Sequence, residues 1–449
     1  MNFDVLKKIL AEASAEHGIT EYEIYYAQSA STSVRALGDE ISAFQSSSGG
    51  GICYRCAVDG KMGYASTQFM DEGEMRELVE RALENARNTE KPDIVGIFEG
   101  SKEYAPLEPI AYTPLDAKEL KEIALKIQKE TLACGDYVGK ATRCAASTSG
   151  STIRLVNSHG VDLSISAGGN YVMSMPVVTK DGQSDNNGER DEYTPELDTA
   201  ALAKKAVDGA LDKIGAGSVP SGKYDLVISS EMMSTLLAKY SSAFSSKSAQ
   251  LGYSLLAGKE GQKIASDIVT ITDDPMREGM KFKINFDAEG VATKRKCVVE
   301  AGVLKTLLYN RETAKKAGVE TTGNASKGGY TAAIDISPFA FCIEAGDKTL
   351  DELFGMVGNG IYITSLGGLH AGANPTTGDF SLQSEGFIIE DGKKGKPVKT
   401  FTISGNFYEL LKSIEALENV VDLGVPGGFT TFGSPAALVR GVSVAGKDN

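Results

Sequence analysis

A chain of 449 residues with 41% apolar and 24% charged residues has an ordinary globular composition and is too long for one comfortable domain. Its formal charge of −14 argues against direct nucleic-acid binding, which needs clustered Lys and Arg; the densest basic stretch, Lys294-Arg295-Lys296, reads as one face of a strand pair. No apolar run reaches the roughly 18 residues of a membrane helix, the N-terminus lacks a signal-peptide pattern, and six scattered cysteines make no disulfide framework, so a cytoplasmic protein is expected.

Phe3–His17 reads as a helix, with Phe3, Leu6, Ile9 and Leu10 on one face and Gly18 as its C-cap. From Glu21 to Thr67 polar and apolar residues alternate in runs broken by Gly38-Asp39, Gly49-Gly50-Gly51 and Asp59-Gly60, the pattern of an antiparallel meander. Cys53 and Cys56 fall in this region as buried strand thiols on opposite faces. Asp71–Asn88 is a second helix, and the proline-rich stretch 91–115 is a connection. A helix over Asp116–Ala133 follows. Strands then occupy Tyr137–Thr194, with turns at Ser149-Gly150, His159-Gly160 and Asp181-Gly182 and a mobile polar tip at Ser184–Asp191. Asp198–Ile214 is a further helix.

The small-residue run Gly215–Gly222, with its proline, marks the best domain boundary. It separates residues 1–216, with sub-parts 1–90 and 115–216, from residues 222–449. The second half opens with a buried strand at Tyr224–Ser229 and a helix from Glu231 to about Phe244. Short strands follow, with one later helix at Phe407–Leu417. The fold class is α+β: an N-terminal domain of mixed helices and antiparallel sheet, then a β-rich C-terminal domain.

The most informative single run is Gly367–Ser381, with four glycines, one of three histidines and an Asn-Pro turn between strand-like segments. Glycines permit close approach of a backbone or ligand, and long glycine-rich connections are often functional. His370, Asn374, Gly378 and Asp379 are its candidate substrate or cavity residues, and Asp379 and Glu385 are placed to grip a peptide amine or amide. A surface loop with ordinary turn chemistry is the competing reading. His17, at a helix end, and His159, in a Ser-His-Gly turn, read as structural, and no histidine has a partner at metal-ligand spacing. Gly-x-Ser-x-Gly, Ser-x-x-Lys and phosphate-loop patterns are absent. Asp273-Asp274-Pro275 offers paired carboxylates or a turn opening.

Several ordered motifs resemble the TldD/PmbA family, once called modulators of DNA gyrase. They are Glu289-Gly290-Val291-Ala292-Thr293, Glu300–Lys305, Thr322-Gly323-Asn324-Ala325-Ser326, the Gly367–Ser381 run and Ser404-Gly405-Asn406-Phe407. The resemblance is specific across roughly residues 220–446 and weaker but colinear before that. It implies a helix, after the strand that opens the C-terminal domain, that carries His-Glu-x-x-x-His in catalytic members. Two of its histidines hold a metal, which the resemblance implies is zinc, together with a C-terminal cysteine. Here the matching helix, Met232–Phe244, has no histidine, and the last cysteine is Cys342. The chain therefore resembles the PmbA/TldE branch, with no catalytic residue, metal site or cofactor of its own. The implied function is a metal-free subunit of a TldD/TldE-type metallopeptidase acting on small or unfolded peptides, paired with a metal-bearing TldD-like subunit or with itself. A non-catalytic homodimeric scaffold is the alternative, and a gyrase regulator rests on the family's older name alone.

Overall fold

The N-terminal helices begin where short polar side chains satisfy their first amide groups. In the computed structural model, which describes residues 2–108, 112–424 and 428–447, α1 (Phe3–Glu16) starts after Asn2, whose side chain accepts the Asp4 N–H. Residues 109–111 of the predicted connection 91–115 lie outside the described residues. Leu6, Ile9, Leu10 and Ala13 recur at helical spacing and are buried. The long antiparallel strands β1 (Glu21–Leu37), β2 (Glu40–Val58) and β3 (Lys61–Thr67) follow. In α2 (Glu72–Asn88), Asp71 caps the Glu74 N–H, and Met75, Leu78, Val79, Ala82 and Leu83 face a core shared with α1, Ile24, Ile52 and Tyr54. Each such Leu, Val or Met stabilises the fold by about 1.5–3 kcal/mol relative to an exposed one.

A second core lies under α3 (Ala117–Leu132), which opens with a reciprocal capping box between Asp116 and Glu119. It packs on Val34, Ala36, Cys144, Ala146 and Val172, drawn from β1, from β4 (Arg143–Asn157) and from β5 (Asp162–Met175). The strands β6 (Val177–Lys180), β7 (Gln183–Asn186) and β8 (Glu189–Glu192) precede α4 (Thr199–Leu211). The main sheet is antiparallel, in the order β3-β2-β1-β4-β5-β8, and β6 pairs with β7 apart from it. Arg55 on β2 forms a buried two-pronged ion pair with Glu23 on β1, at 2.8 and 2.9 Å.

Three sequence expectations are corrected here. Gly49-Gly50-Gly51 and Ser149-Gly150 are not turns: β2 and β4 run straight through them. At Gly51 an added Cβ would lie 2.4 Å from the Thr67 carbonyl oxygen and 2.5 Å from the Tyr330 ring, so glycine is needed for close approach within a strand rather than for a bend. Ser184–Asp191 is not a loose tip either, since it contributes to β7 and β8.

The second half opens with β9 (Gly222–Ile228) and α5 (Ser230–Tyr240), which runs into a turn of 3₁₀ helix at Ser241–Phe244. One sheet runs Lys393–Asn406, Asp379–Glu390, Gly360–Gly367, β9, Ala437–Ala445 and Ile414–Leu417. Lys393–Asn406 also pairs back onto Ala437–Ala445, in the register Ile403 to Val444, which closes five strands into a barrel. β9 and Gly360–Gly367 are parallel, and the other neighbours in this sheet are antiparallel. A second sheet contains the short strands Ile271–Asp273, Lys296–Glu300 and Ala340–Ile343. The fold is α+β with a β-rich C-terminal half.

The predicted helix Phe407–Leu417 is half right. Helix Phe407–Lys412 ends at Ser413, and Ile414–Leu417 becomes a strand beside Ala437–Val439. Helices Arg311–Ala317 and Leu350–Val357 were not expected; the first has seven residues and the second eight, too few to show a clear helical period. Lys296 is not on a solvated face but buried, with its Nζ 3.0 Å from Asp273.

The chain divides into two compact units. One comprises Met1–Glu99, Glu108–Gly215 and Gly328–Ala332, the other Gly100–Leu107, Ala216–Lys327 and Ala333–Asn449. The two short exchanged segments had no signal in composition. All six cysteines are free thiols. Burial pushes the Cys56 thiol up to about 11, which suits an inert strand thiol rather than a redox centre. No helix of the described residues is long and apolar enough to cross a membrane.

Candidate functional site

Within the C-terminal unit, β9 delivers the chain into α5, and the side chains of α5 decide what this region can hold. Ser229 caps the helix by accepting the Met232 N–H, and Met232, Met233, Ser234, Leu236, Leu237 and Tyr240 are buried. The buried face is thus two thioethers, two leucines, a hydroxyl and a phenol. Zinc needs imidazole, thiolate or carboxylate donors converging at about 2.0–2.3 Å, and this face supplies none. Among the described residues no group of three His, Cys, Asp or Glu side chains is arranged to hold a metal ion. These residues do not fit the metal that the resemblance associates with this helix. Cys342 is buried in a strand, and burial pushes its thiol up to about 12.

The end of α5 meets the glycine-rich run. Tyr240 stacks on Phe407, with ring centroids 4.3 Å apart and planes 7° from parallel. Its Oη donates to the Asp379 carbonyl at 2.9 Å, and the Asn374 N–H reaches the same oxygen at 2.9 Å. Burial, with Asp379 and Tyr408 nearby, pushes the Tyr240 phenol up to about 12, so it acts as a neutral donor. Asn374 Oδ1 accepts the Thr376 N–H, and its carbonyl accepts the Gly378 N–H at 2.8 Å. Gly378 has φ +83°, and a Cβ there would lie 2.5 Å from the Tyr408 ring. Asn406 closes the arrangement: its Nδ2 donates to the Thr377 carbonyl and to Asp379 Oδ1, while its Oδ1 caps helix Phe407–Lys412 through the Tyr408 N–H. The bonds from Asn406 and Thr377 hold the Asp379 carboxyl below its usual range.

The four candidate residues therefore differ. Asn374, Gly378 and Asp379 are drawn into one hydrogen-bonded turn, in which Gly378 is buried and Asn374 and Asp379 are exposed. His370 stands apart, exposed on the short helical turn Leu369–Gly372. Glu385 is half-buried inside the strand Asp379–Glu390, opposite Ser365. His159 bonds Glu21 at 2.9 Å, and His17 sits 3.6 Å from Glu80.

Asp273 and Asp274 do not form a catalytic carboxylate pair. Asp273 is fully buried and saturated: its Oδ1 accepts the Phe339 and Ala340 N–H groups, and its Oδ2 accepts Lys296 Nζ at 3.0 Å and Asn324 Nδ2 at 2.7 Å. Asp274 caps the following turn through the Met276 N–H. Sequence reasoning missed this network. The only signal was Asn324, a polar residue in one of the ordered motifs, with nothing to pair it to Lys296 or Asp273. Asp287 is a second such brace, accepting the Glu289, Val291 and Ala325 N–H groups.

Comparison with known proteins assigns the family. The model described as PmbA/TldA metallopeptidase C-terminal domain matches residues 221–446, and that described as PmbA/TldA metallopeptidase domain 1 matches residues 22–86. The chain belongs to the PmbA/TldD metallopeptidase family. It is 30% identical to an uncharacterized protein from Methanocaldococcus jannaschii, covering 90% of this chain and 93% of that one. It is 25% identical to a metalloprotease PmbA homolog from Haemophilus influenzae, covering 94% and 91%. A crystal structure of TldE from Thermococcus kodakarensis superposes with a TM-score of 0.86 at 25% identity, covering 98% of this chain and 99% of that one. A Thermotoga maritima structure described as a candidate modulator of a DNA gyrase gives 0.87 at 29% identity, over 99% and 100%.

Proposed function

We propose that this chain is the metal-free, PmbA/TldE-like subunit of a TldD/TldE-type metallopeptidase that processes small or unfolded peptides in the cytoplasm. The observation that carries the reading is the apolar buried face of α5, where the catalytic branch of the family bears its His-Glu-x-x-x-His ligands. A chain with this helix binds and positions; the bond is broken on a partner that supplies the metal. Relatives bearing TldD names as well as PmbA names support a two-component reading.

The run Gly367–Ser381 is the chain's contribution to peptide handling. Its exposed polar groups include His370 and Asp379, and the Asp379 carboxylate, kept charged by Asn406, is an acceptor for a peptide N–H or ammonium. Asn374 and Gly378 hold the turn that presents them.

The test is co-purification with a relative that carries His-Glu-x-x-x-His, followed by peptide cleavage. The reading requires a stable pair that cleaves peptides. In that pair His370→Ala and Asp379→Ala should raise KM and leave kcat close to the native value. No pairing, with a stable homodimer instead, would move the chain to a scaffold role. Loss of kcat at normal assembly and metal content would make it a catalyst.

A further inference from the structure

The C-terminal unit contains a pocket that the peptide-handling loop does not account for. It has a volume of about 340 Å³, and Asn406 and Tyr408, which brace the loop, form part of its wall. The remaining wall brings together two kinds of surface. Leu256 and Ile264 are buried in it, and Leu255 is 50% exposed. Leu255 is the last of three exposed apolar side chains at alternate positions, after Leu251 and Tyr253.

The second kind of surface is cationic. Lys259, Lys263 and Lys412 line the pocket against one acidic residue, Glu409, in a chain whose net charge is −14. Lys412 is tied to Glu409 at 2.9 Å, and Lys263 to Asp267 at 2.7 Å. Lys259 is exposed and has no ion-pair partner among the described residues. Three lysines around an apolar floor are poorly explained as a solvated surface, because Leu255 beside them stays half exposed. An apolar group bearing a negative charge satisfies both parts at once, by burying Leu255 and pairing the free ammonium.

We infer that this pocket binds a peptide carboxylate together with the apolar side chain next to it. The inference rests on the peptide-handling reading and deepens it by naming the part of the substrate that is held. Two sources can supply that chemistry: the α-carboxylate of a chain end, or an acidic side chain within the peptide. The chain end is the source that fits the lining, since a terminal residue carries its carboxylate and its apolar side chain on one Cα, and Leu255, Leu256 and Lys259 lie close together in the wall.

The experiment is calorimetric titration of the full-length chain, alone and without any metal-bearing partner, with three short peptides. They are acetyl-Ala-Ala-Leu as free acid, the same peptide as C-terminal amide, and acetyl-Asp-Ala-Leu amide. The free acid should bind about ten-fold more tightly than the neutral amide, the ratio expected of one charge-assisted contact. The ratio should shrink at high salt. The double variant Lys259→Gln, Lys412→Gln should abolish it, and Lys259→Arg with Lys412→Arg should restore it. Equal binding of the Asp-containing amide and the free acid, lost in the double glutamine variant, would support the carboxylate site with an acidic side chain as its source. Equal binding of free acid and neutral amide, or a ratio that survives the double glutamine variant, would overturn the site. That failure would leave the subunit assignment standing, because pairing with a metal-bearing relative is measured separately.

Discussion

In the N-terminal unit, amphipathic helices of 13 to 17 residues lie on long antiparallel strands and bury separate cores. In the C-terminal unit, strands as short as two residues accompany one large core and one smaller one and are tied by buried polar side chains. The first arrangement is stabilised by repeated apolar faces, so each element is specified by its own sequence. The second depends on single residues that join segments far apart in the chain. Both units contain a buried ion pair, but Arg55–Glu23 links neighbouring strands, whereas Asp273 gathers Lys296, Asn324 and the amides of Phe339 and Ala340.

The largest effect expected from this contrast comes from removing one partner of each pair. Lys296→Met leaves Asp273 buried and uncompensated, and Arg55→Met does the same to Glu23; each should cost about 3–5 kcal/mol. The units should differ in where the loss spreads. Hydrogen exchange should rise across 271–273, 296–300, 324–326 and 339–343 in Lys296→Met, but only across β1 to β3 in Arg55→Met. A Lys296→Met change confined to 296–300 would break the comparison.

Gly378→Ala should be next, at about 2–3 kcal/mol, because it combines positive φ with a collision against the Tyr408 ring. Thermal unfolding measures it directly. Gly60→Ala, also at positive φ but with open space around the added methyl, is the control in the N-terminal unit and should cost clearly less.

A pH dependence should mark the C-terminal unit. Burial first, and then the nearby Glu289, push the Asp287 carboxyl up to about 7. A folded state that keeps this proton while the unfolded chain loses it near pH 4 is most stable below about pH 4 with respect to this group, and loses that increment as pH rises to about 7. Urea unfolding of native protein and of Asp287→Asn across pH 4–8 should show the downward slope reduced in the variant. Parallel profiles would remove Asp287 as its source.

The smallest effect belongs to Tyr240→Phe. It deletes a single hydrogen bond to the Asp379 carbonyl, keeps the stack on Phe407, and should cost about 1 kcal/mol. The Asn374 N–H still reaches that oxygen, so the turn should persist.

The same contrast sets what could be read from sequence. Met75, Leu78, Val79 and Leu83 disclose α2 because a long helix repeats its apolar face several times. Helix Arg311–Ala317 has too few residues to repeat anything, and Ile414–Leu417 continued a helical pattern until pairing with Ala437–Val439 claimed it. Glycines misled where they lie inside strands, since Gly51 and a turn glycine such as Gly60 look alike until the neighbouring backbone is in place. In the candidate site, it was legible that α5 carries no histidine, while the expectation of ligands on that helix came from the family resemblance. The convergence of Tyr240, Asn374, Asp379 and Asn406 was not legible, because Tyr240, more than 130 residues away, meets Asn374 at the Asp379 carbonyl while Asn406 holds the Asp379 carboxylate. The lysine-lined pocket was equally hidden, its cations coming from two distant stretches of an acidic chain.

Metal stoichiometry tests the central claim most directly. Elemental analysis should be run on the purified chain alone and on the chain reconstituted with a His-Glu-x-x-x-His relative. The account predicts no stoichiometric transition metal in the chain alone and about one zinc per reconstituted pair, held by the relative. About one metal per isolated chain, lost on substitution of specific side chains in this sequence, would contradict it.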